Sequence, residues 1–145
     1  MYKEGDIVYT TFGEGVIMGI DIPQSRAWRY IIKITRQIKD HLLIDENKLM
    51  GFDPKDVMSI DEIRNNVLVL AAIKRGGRIL TGKRHSDCIN QAIASGWYKP
   101  ITQEEQGFVD SCGNYYNRKY ALNYAKIIGQ VKEDHKGPLF SEDLW

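Results

Sequence analysis

The sequence is short of cysteine, histidine and proline. Its two cysteines, Cys88 and Cys112, stand 24 positions apart. That is too few for a disulfide framework, and in a reducing compartment they read as free thiols. The three histidines, His41, His85 and His135, show no His-x₃-His spacing, and the cysteines no Cys-x₂-Cys spacing, so no metal site and no cofactor are expected. No apolar run approaches the roughly 18 residues of a membrane span. The start, Met1-Tyr2-Lys3-Glu4-Gly5-Asp6, lacks the basic and then apolar stretches of a signal peptide. An excess of one charge is also missing: 20 Lys and Arg face 19 Asp and Glu, for a net charge of +1. This argues against a domain that grips duplex DNA over many phosphates. There is no phosphate-binding loop ending in Gly-Lys-Ser/Thr and no Gly-x-Ser-x-Gly nucleophile elbow. A soluble, cytoplasmic protein without a membrane partner is expected.

What is present suits a folded chain. The 145 residues are 43% hydrophobic and 27% charged, close to globular averages. A single unit of this length buries roughly 68% of the surface its unfolded form exposes.

The pattern changes near residue 60. Before it, Asp6–Phe12, Val16–Ile22, Trp28–Ile34 and His41–Ile44 read as four short strands about ten residues apart, separated by Gly13-Glu14-Gly15 and Pro23. Together they suggest a small antiparallel barrel-like domain over residues 1–60. The Gly-Asp-x-Val start and Phe12-Gly13-Glu14-Gly15-Val16 resemble small SH3-like or Tudor-like barrels. Beyond it, Val67–Ile73 reads as a strand, Arg75-Gly76-Gly77-Arg78 as a tight turn and Ile79-Leu80-Thr81 as the returning strand. Ser86 is the expected cap of a helix running to Gly96. Gly107–Asp110 and Tyr115-Tyr116 form a second hairpin around Gly113-Asn114. Asn117 is expected to cap a helix over Arg118–Ile128, with an apolar stripe of Tyr120, Ala121, Tyr124, Ala125 and Ile128. The fold class is therefore α+β: a small β domain at 1–60, then a ββα-ββα domain at 61–145.

Two groups of side chains carry candidate chemistry. From Lys74 to Arg84 there are five cations and no acid. Arg78 on this hairpin, and Arg84-His85 at a helix start, are candidates for holding phosphate, because forked guanidinium donors and free helix N–H groups suit an anion. Arg118 repeats that logic at the second helix. A solvated basic hairpin tip is the plainer alternative. Phe108 and Tyr116 are candidates for stacking on a base, whereas Tyr120 and Tyr124 belong to the buried stripe. Phe108 and Tyr116 are also ordinary core residues. Catalysis has thinner support. His85 with Cys88 lacks the third, orienting group that a nucleophile pair needs, and no catalytic residue is assigned.

Gly82-x-Arg84-His85-x-Asp87-Cys88-Ile89, Gln106-Gly107-Phe108, Gly113, Tyr116-x-Arg118, Ala121, Ala125, Gly129-Gln130 and the tail Leu139-Phe140-Ser141-Glu142-Asp143-Leu144 resemble the phage anti-Thoeris sponge family over residues 68–145. Tyr116 stands where that family usually has phenylalanine, and Asn117 where an acid is common. The resemblance implies a phage anti-defence protein that sequesters cyclic ADP-ribose-type or cyclic oligonucleotide signals without cleaving them, as a homo-oligomer with sites at subunit contacts. The residues and the resemblance thus converge on a compact phosphorylated nucleotide as partner. Two other readings stand beside this one. One is a nucleotide-cleaving enzyme with His85 as base and Arg84 or Arg118 on the phosphate. The other is a protein or nucleic-acid interaction module working through the N-terminal barrel.

Overall fold

In a computed structural model, residues 1–22, 24, 27–40 and 47–145 are described. They hold two antiparallel sheets and three helices. The chain divides into two units, Met1–Asn65 and Asn66–Trp145.

The first unit is built on alternation. Strands β1 (Ile7–Thr10), β2 (Gly13–Asp21), β3 (Arg29–Gln37) and β4 (Leu49–Phe52) form an antiparallel meander in chain order. Residues of period two on one face, Val8, Ile17, Tyr30, Ile32, Ile34 and Phe52, make the core with Val57. A 3₁₀ turn at Pro54–Asp56 leads to Met58, which exchanges two backbone hydrogen bonds with Tyr9 (2.7 and 2.9 Å). Helix α1 (Ile60–Ile63) follows, started by a reciprocal cap between Ser59 and Glu62, and clusters with this unit. Among the described residues the sheet stays an open meander with one extra bridge, and no closed barrel forms. The expected strand at His41–Ile44 lies outside the described residues. The strand that pairs with β3 is Leu49–Phe52, a segment too short and too interrupted by Gly51 to announce itself by alternation.

The second unit runs β5 (Leu68–Arg75), β6 (Arg78–Gly82), α2 (His85–Ala94), β7 (Gln106–Asp110), β8 (Tyr115–Asn117) and α3 (Arg118–Ile127), with sheet order β6-β5-β7-β8. The ββα-ββα order is the expected one, and its two hairpins join where β5 pairs with β7. Ala71, Phe108 and Tyr116 are cross-strand partners and so share a face. Cys88 and Ala92 of α2 pack near Ala71, and Tyr124 of α3 stacks on Tyr116. Both helices therefore cover one side of the sheet. On the other side Gly107 leaves room for Tyr115: a Cβ there would lie 2.7 Å from the phenol and 2.1 Å from the Tyr116 carbonyl.

Local signals set the helix ends, with one correction. Asn117 accepts the Tyr120 N–H (2.8 Å) and starts α3, and Gly129 (φ 77°) ends it in the left-handed region that glycine tolerates. The expected stripe of Tyr120, Ala121, Tyr124, Ala125 and Ile128 is buried. Helix α2, however, begins at His85 with Arg84 as its N-cap residue, not at Ser86. The Asp87 carboxylate accepts the Arg84 N–H (3.0 Å), so an acid in the first turn moves the start upstream.

Candidate functional site

Arg118 is the first residue of α3, directly after the last strand, so the sheet fixes where its side chain leaves the backbone. Its guanidinium donates through Nη1 to Gln103 Oε1, and through Nη2 to Gln106 Oε1 (2.9 Å) and His85 Nδ1 (3.3 Å). Its Cζ lies 5.3 Å from the centre of the Phe140 ring. His85 explains the polarity of this contact. Its Nε2 is 2.7 Å from the Gly107 carbonyl, which only accepts, so Nε2 carries the proton and Nδ1 offers a lone pair to Arg118. Burial pushes the His85 pKa down; the Arg118 charge pushes the same way, against the Gly107 hydrogen bond and Glu142. The imidazole is neutral, and both its nitrogens are committed to protein partners.

Arg118 is thus held by three neutral acceptors. Among the described residues no carboxylate lies within ion-pair distance of Arg118 or of Arg84. Arg118 Nε and Arg84 Nη1 are buried without a hydrogen-bond partner. A buried donor left unmade costs about 1–3 kcal/mol, and more on a charged group. Burial also lowers the Arg118 pKa from its usual value. The arrangement is an anchored guanidinium with no carboxylate in ion-pair contact, its charge offset only from a distance by Glu142, and Arg84, the residue before His85, keeps a spare donor. Chemically it suits an anion.

The sequence-predicted residues divide between this cluster and other roles. His85 and Arg118 meet at the starts of α2 and α3; Arg84 is the residue before His85, and no contact joins its side chain to Arg118 among those shown. Phe108 does not offer a face to a ligand: it is 0% exposed, with its ring edge-to-face against His85 (4.9 Å) and Trp145 (6.2 Å). It lies in β7, between β5 and β8 and beneath the helices, so it supports His85 from the core. Tyr116 is also core, stacked on Tyr124 (4.8 Å) with its hydroxyl donating to Asp110 (2.8 Å). Arg78 opens β6 while Arg84 follows its far end. Four residues of strand, about 13 Å, separate Arg78 from Gly82. The exposed Arg78 guanidinium lies over Trp97 instead (5.6 Å). Nor is the rest of the basic hairpin idle. Arg75 binds both Glu105 oxygens (2.5 and 2.8 Å) and two backbone carbonyls, which holds the Glu105 carboxyl down at about 2, and Lys74 sits over Tyr115.

Residues 67–145, which carry every member of this cluster, match the phage T4 y16D protein family. The chain belongs to that family. No curated protein matches the chain, and no solved structure does.

The y16D family match runs from β5 through the tail and leaves the first unit outside it. It makes this a phage protein, and its description names no ligand. Within the y16D region, the sequence assigned no site role to Gln103, Gln106, Phe140 or Trp145, although Gln106 and Phe140 stand in the segments that carry the family resemblance. Gln103 and Gln106 bear no charge; Gln103 opens a 3₁₀ turn over Gln103–Glu105 and Gln106 starts β7. Phe140 and Trp145 arrive from the tail, where Leu139 and Ser141 are buried and Trp145 Nε1 donates to the Lys83 carbonyl (2.8 Å). Cys88 is fully buried, and burial pushes its thiol up to about 11, far from a reactive thiolate. A cavity of about 360 Å³ elsewhere in this region is lined by Gln130, Lys132, His135 and Asp143 among others, and includes none of the expected site residues. Among the described residues no helix is long and apolar enough to cross a membrane, and no group of three potential metal ligands gathers.

Proposed function

We propose that the second unit binds a phosphorylated nucleotide signal, of cyclic ADP-ribose type or a cyclic oligonucleotide, at Arg118 and Arg84. It holds the signal without cleaving it and so counters a bacterial defence system in the host cytoplasm, as a homo-oligomer. One observation carries this reading: Arg118 is half-buried and pinned by Gln103, Gln106 and His85, with no carboxylate in ion-pair contact and only Glu142 acting on it from farther off. Pinning in advance lowers the ordering cost of gripping phosphate. A buried, neutral His85 supports holding over cleavage, since a general base needs a free nitrogen facing the reacting group.

Thermal shift against cyclic ADP-ribose isomers, cyclic dinucleotides and cyclic trinucleotides identifies the signal, because a ligand that binds only the folded state raises the melting temperature. Heating the loaded protein should then release that signal intact; release of a product would make the protein an enzyme. Arg118→Ala is expected to weaken binding by about 1.5–3 kcal/mol, roughly 10- to 150-fold, as for loss of a charged hydrogen bond. Arg84→Ala is expected to lose a similar amount. Native melting with unchanged affinity in both variants would place the anion elsewhere.

A further inference from the structure

We infer that Phe140 is the platform on which the base of the nucleotide stacks, an assignment that rests on Arg118 as the phosphate anchor. With Phe108 and Tyr116 withdrawn into the core, the site needs an aromatic face from another element, and the tail supplies one. Phe140 is 47% exposed, although its neighbours Leu139 and Ser141 are 0% and 3% exposed. The backbone on either side is therefore clamped while the ring stays accessible. Its N–H donates to Asp143 Oδ2 (2.8 Å), which closes the 3₁₀ turn Ser141–Asp143. Trp145 Nε1 ties the far side of that turn to the Lys83 carbonyl (2.8 Å), one residue before Arg84. The segment that carries the ring is thus tied at both ends, and the Arg118 guanidinium lies against the ring at 5.3 Å.

A half-exposed ring on a tied segment is open to a planar partner, and every nucleobase presents a π-face. A cation already touching the ring brings the phosphate anchor and the base platform within the span of one nucleotide. The ligand class this geometry fits is a nucleobase-bearing phosphate, and not a bare sugar phosphate or inorganic anion.

Calorimetric titration of the full chain with AMP and with ribose 5-phosphate tests this directly, since the two probes share the phosphate and the sugar and differ by the base. The wild type is expected to bind AMP about tenfold more tightly than ribose 5-phosphate. In Phe140→Ala that ratio should fall to about one while ribose 5-phosphate binding is unchanged. Phe140→Trp should keep the ratio. Phe140→Leu, which retains apolar bulk without a π-face, replaces the alanine variant if that one melts early. A natively melting Phe140→Ala or Phe140→Leu with an undiminished ratio overturns the platform. So does a wild-type ratio near one. Arg118→Ala separates the two assignments: it should weaken both probes alike. If it leaves both unchanged while Phe140→Ala still removes the preference for AMP, the phosphate anchor is wrong and the platform stands. A wild type that binds neither probe at millimolar concentration overturns both.

Discussion

Phe108→Ala is expected to lower the melting temperature of the chain by about 12 °C or more. The ring is fully buried in β7, the strand between β5 and β8, and it meets His85 and Trp145 edge-on. Truncating a buried phenylalanine to alanine costs about 3–5 kcal/mol, since the transfer energy of the ring is lost and the cavity closes only partly. In a unit of about 80 residues each kcal/mol moves the midpoint by about 4–8 °C. Phe108→Leu keeps most of the volume and should lose far less. Near-UV circular dichroism during heating reads the transition. AMP titrated well below the midpoint should find the folded fraction of Phe108→Ala still competent, because the ring lies behind His85. A variant that melts like the wild type but has lost AMP would put Phe108 in contact with ligand and remove it from the core.

Asp110→Ala is expected to destabilise the second unit by about 3–5 kcal/mol, the scale of leaving buried partners uncompensated. The residue is 2% exposed. Its Oδ1 accepts the backbone N–H groups of Cys112 and Asn114 (both 2.9 Å), and its Oδ2 accepts from Asn66 Nδ2 (2.9 Å), Asn114 Nδ2 (3.1 Å) and the Tyr116 hydroxyl (2.8 Å). That one carboxylate joins the start of the unit, the β7–β8 turn and the aromatic stack. Removing it takes the acceptor from five hydrogen bonds at once, the Cys112 N–H alone keeping a second acceptor at Asn66 Oδ1 (3.2 Å) among those described. Asp110→Asn should cost less, because the amide oxygen still accepts two of them.

The same geometry sets a pH dependence. Burial pushes the Asp110 carboxyl up, but the hydrogen bonds from Asn114, Tyr116 and Asn66 outweigh it, and its pKa lies below the usual value. The folded state therefore favours the ionised form more than the unfolded state does. Its contribution to stability is fully present above the unfolded pKa of about 3.9 and is lost as pH falls through the folded one. Urea unfolding followed from pH 7 down to about pH 3 should show the wild type losing stability below about pH 4, and Asp110→Asn losing less over that window. Glu105, held down by Arg75, titrates in both proteins and cancels in the difference. Parallel acid profiles for the two would show that the carboxylate charge at Asp110 contributes nothing.

What the sequence determined by itself lies within a few residues along the chain. The stripe on α3 follows from helical period, its start from Asn117, its stop from Gly129, and the two hairpins from Gly76-Gly77 and Gly113-Asn114. Such features rest on backbone conformation and on neighbours three or four positions away, so type and spacing suffice to place them. The cations at the starts of α2 and α3 were legible for the same reason. The membership of the site was decided only by the tertiary structure. Gln106 reaches Arg118 across 12 positions, Gln103 across 15 and His85 across 33, and Asn66 reaches Asp110 across 44. Phe108 and Tyr116 look as suited to stacking on a ligand as Phe140 does. Their burial depends on β7 being an interior strand and on α2 and α3 covering the same face, which is set by how strands are ordered and not by what any one strand contains. Arg78 and Arg84, six positions apart, are separated by the length of β6 because a strand rises about 3.3 Å per residue, whereas Arg118 reaches His85 from a distant segment because its helix starts where the sheet delivers it.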